Sequence, residues 1–337
     1  MKALRKAVVS GTGISLPEKV VTNFDLEKIV ETSDEWIFTR TGIKERRQIP
    51  DGMTLLELSI PACKQAIANA GLTPDDIDLI IYATFTPDYQ VPATACLLQD
   101  KLGCRNAGAF DLQAACTGFV YASSVACQFI ATGLYNNILV VGGDVTTRIL
   151  DFSDRNSCVL FGDGIGATIY SAGENDEGAF DFLLGSIGSG GEYIMIPNGG
   201  SAQRPTVEAI QNREHYLKIN GKEVFKFSTK IVGDMIEEVL QRNNLSLDDV
   251  ALIIPHQANI RILESAAKRF NCPLEKFYIN IERYGNTVAA TIPIAIHEAL
   301  QEGRIKQGDI VLLVGFGGGL TYGIMPIRWG KYTSPTA

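Results

Sequence analysis

Three residues with the best claim to chemistry lie far apart in this chain: Cys116 in DLQAACTGF, His256 in IIPHQANIR and Asn286 in YGNT. Cys116 stands where an apolar run ends and a charge-free helix begins, running from Thr117 through Ile130. A sulfur there faces the unpaired N–H groups at a helix start, which predicts a thiolate-favouring nucleophile at the floor of a cavity. The competing reading is a packing residue among Ala and Gly, the usual fate of a buried cysteine. With a neutral His and an Asn amide as donors, the set suits acyl transfer through a thioester. The sulfur attacks a carbonyl while the N–H groups hold developing negative charge. GFGGGLT, from Gly315 to Thr321, follows an apolar strand and offers a backbone N–H to the same oxygen. No Lys-Ser/Thr pair follows it, which disfavours a phosphate loop. Taken singly, His256 reads first as a core histidine and Asn286 first as a turn residue. His215 and His297 are read as structural.

These residues need elements to bring them together, and the chain supplies an α/β alternation. Strand-like runs at Ala7 to Ser10, Leu79 to Tyr82, Ala109 to Leu112 and Ile138 to Val141 alternate with helical stretches at Thr54 to Ala70, Thr94 to Leu102 and Thr117 to Ala131. Gly11 and Gly13 read as the end of the first strand. LTPDDIDLIIYAT, beginning at Leu72, matches LSLDDVALIIPHQ, beginning at Leu245, an offset of 173 residues. The same offset lays Ile138 to Gly142 on Val311 to Gly315 and sets the Cys116 junction opposite Ala289, just after YGNT. A duplicated α/β half with a pseudo-twofold axis follows, residues 1–172 forming one half and 173–337 the other. Gly173 to Tyr216 forms a glycine-rich crossover loop. Ligands bind such folds at the carboxyl ends of strands near the axis, where Cys116, His256 and Asn286 are expected to converge. The tail after Arg328 is expected to fray.

At 337 residues and 46% hydrophobic, the chain can bury a large core. Seven scattered cysteines form no C-x-x-C pair and no cluster with the three histidines, which predicts no metal site and a reducing, cytoplasmic setting. The net charge of −8 argues against nucleic acid as a partner. Gln128, Gly133, Asn136 and Asn137 divide the charge-free span from Leu112 to Gly143 into segments short of the ~20 apolar residues that cross a bilayer. No membrane insertion or amino-terminal targeting segment is expected.

Along nearly its whole length the chain resembles the beta-ketoacyl-acyl carrier protein synthase III family of thiolase-like condensing enzymes. The resemblance rests on SDEWIFTRTGIKER from Ser33, AACTGF around Cys116, FGDGIGA from Phe161, GKEVFKF from Gly221, PHQANIR around His256, YGNT and FGGGLTYG. It implies a five-layered αβαβα fold, a homodimer and no cofactor beyond a coenzyme A thioester as substrate. Cys116 would take an acyl group from acyl-coenzyme A, the oxyanion held by the N–H groups of Cys116 and Gly318. His256 and Asn286 would hold the thioester carbonyl of malonyl-acyl carrier protein during decarboxylation, and the enolate would attack the acyl-cysteine.

The resemblance further implies adenine stacked between Trp36 and Arg155, a phosphate at Arg40, and a pantetheine channel along Gly221, Phe225, Ala258 and Asn259. Carrier protein is acidic, so Arg261, Lys268 and Arg269, on one face of a helix, would form its docking site with Lys226. Val91 stands where some acetyl-preferring members carry a Phe that reaches across the dimer to limit the partner's acyl pocket. Val288 replaces the usual Ser after Asn286 and Thr287. Related ketosynthases or acyltransferases of specialised pathways share these features, and a non-catalytic acyl-thioester binding module is the reading from another class. Thiolases differ by a second cysteine near the carboxyl end, whereas no cysteine follows Cys272 here. Elongating condensing enzymes differ by a second histidine where Asn286 stands.

Overall fold

The computed structural model describes residues 4–173 and 177–330. Two five-stranded mixed sheets carry the chain. The first runs Ala7–Ser15, Gly164–Ala172, Asn137–Asp144, Leu79–Ala83, Gly108–Leu112 across its width. Its last three strands are parallel and its first two antiparallel to their neighbours. In the second, Val250–Pro255 pairs parallel with Ile310–Gly317, which pairs antiparallel with Thr321–Arg328. Gly178–Ala179 and Leu183–Ser186 pair with Thr321–Arg328.

The 173-residue offset survives in the backbone. The 3₁₀ turns Pro74–Asp76 and Leu247–Asp249 correspond, as do Ala115–Thr117 and Val288–Ala290. Each turn of the second pair leads into a helix, Gly118–Ala131 and Thr291–Gln301. The repeat thins at the sheet edge, where the counterpart of Gly108–Leu112 is reduced to one bridge between Ile253 and Phe277.

Burial follows from apolar patterning. Gly118–Ala131 carries no charge, and Thr291–Gln301 is buried from Thr291 through Leu300, so these two helices fill the space between the sheets. Leu55–Asn69 and Thr94–Leu102 cover the outside of the first sheet; Gly221–Arg242 and Ile260–Arg269 cover the second. The result is the expected αβαβα layering, with strand ends and helix starts meeting at the centre.

Two expectations fail here for packing reasons. The first strand continues through Gly11 and Gly13 to Ser15, because those glycines admit the backbone of Leu55–Asn69; a Cβ on Gly11 would lie 2.2 Å from the Ala66 carbonyl oxygen. At the other end, Trp329 is buried and its backbone N–H donates to the Asp309 carbonyl, so the chain is held beyond Arg328. The rest of that tail, 331–337, lies outside the described residues. The crossover holds short elements, among them the Ile194–Met195 strand, which pairs with Lys218–Ile219.

Candidate active site

One cavity of about 900 Å³ opens between the halves, and Cys116, His256 and Asn286 all line it. Cys116 lies in the 3₁₀ turn that follows the Gly108–Leu112 strand. Its predecessor Ala115 has φ 44°, a strained left-handed conformation that turns the thiol to the cavity. Gly317 must lack a side chain here, since a Cβ would sit 2.6 Å from Cys116 Cβ and 2.8 Å from Sγ. The Gly318 N–H donates to the sulfur.

The expected thiolate is not the resting state. Burial pushes the Cys116 thiol up to about 12, opposed by the Gly318 N–H, with Asp144 adding to the rise. The helix begins only at Gly118, so the sulfur sits ahead of its first turn, and loss of hydration outweighs the nearby N–H groups.

His256 follows the second half's Val250–Pro255 strand, its backbone N–H donating to the Val314 carbonyl at 2.7 Å. Burial lowers its pKa to about 3, so the ring is neutral. Nδ1 lies 2.8 Å from Thr291 Oγ1, whose hydroxyl donates to the Val288 carbonyl at 2.9 Å and has one proton to share between these two partners. When the Thr291 hydroxyl donates to Nδ1, Nε2 carries the proton and the ring presents a donor. The Phe316 ring meets the imidazole edge-on at 5.3 Å between centroids.

Asn286 is fixed by both halves. Its N–H donates to the Leu160 carbonyl at 2.9 Å and its carbonyl accepts from Gly162 N–H at 3.0 Å. Its side-chain Oδ1 accepts from Val288 N–H at 2.9 Å, leaving Nδ2 as the donor it offers to the cavity. The Val288 departure thus leaves both polar residues supported, Asn286 by the Val288 backbone and His256 by Thr291. The Val288 side chain packs with Cys116, Phe161 and Leu217.

Arg40, Gly221, Phe225, Ala258 and Asn259 line the same cavity toward its mouth. Helix Asp34–Thr41 starts on Ser33, whose hydroxyl accepts from Trp36 N–H, and its i, i+4 spacing stacks Arg40 on the Trp36 ring at 4.5 Å. Arg155 sits 5.1 Å from that ring and donates to the Glu31 carbonyl. A base between two flat groups needs two contacts of about 3.5 Å each, so the expected adenine slot between Trp36 and Arg155 is closed until Arg155 swings away.

Of the expected docking residues, Arg261 lines the mouth over the Phe225 ring, while Lys226 and Lys268 are exposed away from the cavity wall. Arg269 is engaged with Asp234 and Glu237 at 2.9 Å each, ion pairs that a helix-face argument on its own segment misses. Lys222, one turn before Lys226, lines the mouth and was missed; its place in GKEVFKF was the only signal. Val91 is 86% exposed and lies off this chain's cavity.

Family comparison identifies the chain's relatives. The model for 3-oxoacyl-[acyl-carrier-protein (ACP)] synthase III matches residues 110–188, and that for the C terminal of the same enzyme matches 240–329. The beta-ketoacyl-[acyl-carrier-protein] synthase III of Natranaerobius thermophilus is 49% identical over 329 residues, covering 97% of this chain and 100% of that protein. The chain belongs to the beta-ketoacyl-[acyl-carrier-protein] synthase III family. It is an acyltransferase with the thiolase-like fold. The crystal structure of 3-oxoacyl-[acyl-carrier-protein] synthase III from Aquifex aeolicus superposes with a TM-score of 0.89 at 43% identity, covering 96% of this chain and 100% of that one. The priming beta-ketosynthase of the R1128 polyketide pathway is similar at a TM-score of 0.91 and 29% identity, each chain covered to 99%.

Proposed function

We propose that Cys116, His256 and Asn286 carry the reaction of this family, the condensation of acyl-coenzyme A with malonyl-acyl carrier protein that begins fatty acid synthesis. The observation behind this reading is that a sulfur from one half and two uncharged nitrogen groups from the other line one cavity. Cys116 Sγ attacks the acyl thioester carbonyl, the N–H groups of Cys116 and Gly318 hold the oxyanion, and the thiol proton leaves with coenzyme A. Malonyl thioester then binds with its carbonyl oxygen on His256 Nε2–H and Asn286 Nδ2–H. Its C2–carboxylate bond breaks, carbon dioxide departs, and the bonding pair becomes an enolate. The enolate attacks the acyl carbonyl, forming the C–C bond and expelling the Cys116 thiolate, which regains a proton. Decarboxylation supplies the carbanion, so no strong base is needed and a His neutral down to about pH 3 suits the task.

Coenzyme A would run from Trp36 and Arg40 at the mouth past Gly221, Phe225, Ala258 and Asn259, with its base displacing Arg155. Acidic carrier protein would dock on Arg261, Lys268 and Lys226. We assign the protein to the cytoplasm as a homodimer, the Gly108–Leu112 edge strand and exposed Tyr89 and Val91 being the surface offered to a second copy. Among the described residues no helix is long and apolar enough to cross a membrane. Val91, smaller than Phe, favours primers longer or more branched than acetyl.

Incubation with radiolabelled acetyl-, isobutyryl- and octanoyl-coenzyme A tests this reading. Label should appear on wild-type protein and be absent from Cys116→Ala; failure of every primer to label the wild type would overturn it.

A further inference from the structure

We infer that Asp144 is a positioning residue whose carboxylate ties the Asn286 turn of the second half to the Phe85 loop of the first, and so sets where Asn286 stands over Cys116. This rests on the role proposed for Asn286. Asp144 ends the Asn137–Asp144 strand and is fully buried. Its Oδ1 accepts from Thr84 Oγ1 and Phe85 N–H at 2.9 Å, Thr86 Oγ1 at 3.0 Å and Thr86 N–H at 3.3 Å. Its Oδ2 accepts from Ala289 N–H at 3.3 Å, across the boundary between halves. Burying a carboxylate is costly unless donors compensate it, and here they come from two segments that both reach the cavity.

Phe85 lines the cavity directly. On the other side, successive peptide groups divide the work: Val288 N–H holds Asn286 Oδ1, and Ala289 N–H is held by Asp144. The strand next to them is cut close, since a Cβ on Gly142 would lie 2.4 Å from the Ala289 carbonyl oxygen. The turn carrying Asn286 is therefore seated on the first half through its backbone, with one carboxylate oxygen as the latch.

Asp144→Asn separates this role from general packing. Asn keeps an oxygen for the four donors of the Thr84 to Thr86 segment, but its amide then meets Ala289 N–H donor against donor, so the break falls on the link between halves. Two half-reactions are read: label transferred to Cys116 from whichever radiolabelled acyl-coenzyme A loads the wild type, and carbon dioxide released from malonyl-acyl carrier protein. Carbon dioxide release should fall on the order of tenfold to a hundredfold, as a small misplacement of a substrate-holding group does, while labelling stays within about threefold. If Asp144→Asn does not fold, the nearly isosteric Thr84→Val withdraws one donor from Oδ1 and should lower carbon dioxide release several-fold with labelling spared. Equal loss in both half-reactions, or no loss in either, by the folded variant would overturn the inference. Absence of label on the wild type would instead overturn the underlying reading of the site.

Discussion

Ala115 and Val288, 173 residues apart, share a left-handed backbone, with φ 44° and 52°. Neither is a glycine, so each conformation is strained and held by its surroundings. Each opens a 3₁₀ turn that becomes a central helix, and the two helix starts abut, a Cβ on Gly118 falling 3.7 Å from that of Ala289. One elbow presents a sulfur and the other follows the amide of Asn286, so the centre is built from two copies of one bend.

Close approach at the first elbow makes Gly317 a sensitive position. In Gly317→Ala, the new Cβ would press within 2.8 Å of the Cys116 sulfur and 2.6 Å of the Cys116 Cβ. Acyl labelling should fall on the order of a hundredfold or more, and the thermal midpoint should drop. Gly318→Ala, where the nearest atom is 3.3 Å away, should retain more of both. Label stoichiometry and thermal melts of the two variants check the contrast.

Thr291 should matter to decarboxylation alone. Thr291→Val removes the oxygen 2.8 Å from His256 Nδ1 and leaves the ring with the Val288 backbone as its partner. Carbon dioxide release from malonyl-acyl carrier protein is expected to fall about tenfold, roughly the cost of a displaced donor, with Cys116 labelling unaffected. Thr291→Ser restores the hydroxyl and should recover most of the loss. A Ser variant no better than Val would contradict this use of the hydroxyl.

Acid should destabilise the protein through its buried histidines. Burial depresses the folded pKa values of His256 and His297 to about 3 and about 4, from an ordinary 6.5. The unfolded chain therefore takes up protons first, so this stability is intact above pH 6.5 and is lost as pH falls toward 4. Thermal midpoints should decline over that window. His297→Gln, whose partner is Thr12 Oγ1, should flatten the decline; an unchanged slope would remove His297 from the account.

Charge reversal distinguishes docking residues from structural ones. Arg261→Glu should reduce kcat/KM for malonyl-acyl carrier protein about tenfold at low salt and less at high salt, because screening weakens such steering. Acylation by coenzyme A thioesters should persist. Arg269→Glu instead sets a negative charge against Asp234 and Glu237 and should lower the thermal midpoint. Paired melts and steady-state rates on both variants separate the two effects.

The sequence made the centre legible because duplication left a register: the 173-residue offset places Cys116 opposite Ala289 and brings His256 to a strand end. Other features depend on neighbours distant in the chain. Gly11 and Gly13 look like strand breakers until a helix backbone is seen against them. Arg269 looks available until Asp234 and Glu237 arrive from another helix. The thiol's proton affinity depends on hydration, which no local motif records. Thr291 reads as an ordinary helix residue until folding carries it to His256.

The Asn286 peptide is stitched to Leu160 and Gly162 on both its N–H and its carbonyl side. Neither repeat, produced as a separate polypeptide, would own a complete set of reacting groups. On the role proposed for Asn286, turnover belongs to the seam, and loosening that stitching should disarm the enzyme even when both repeats stay folded.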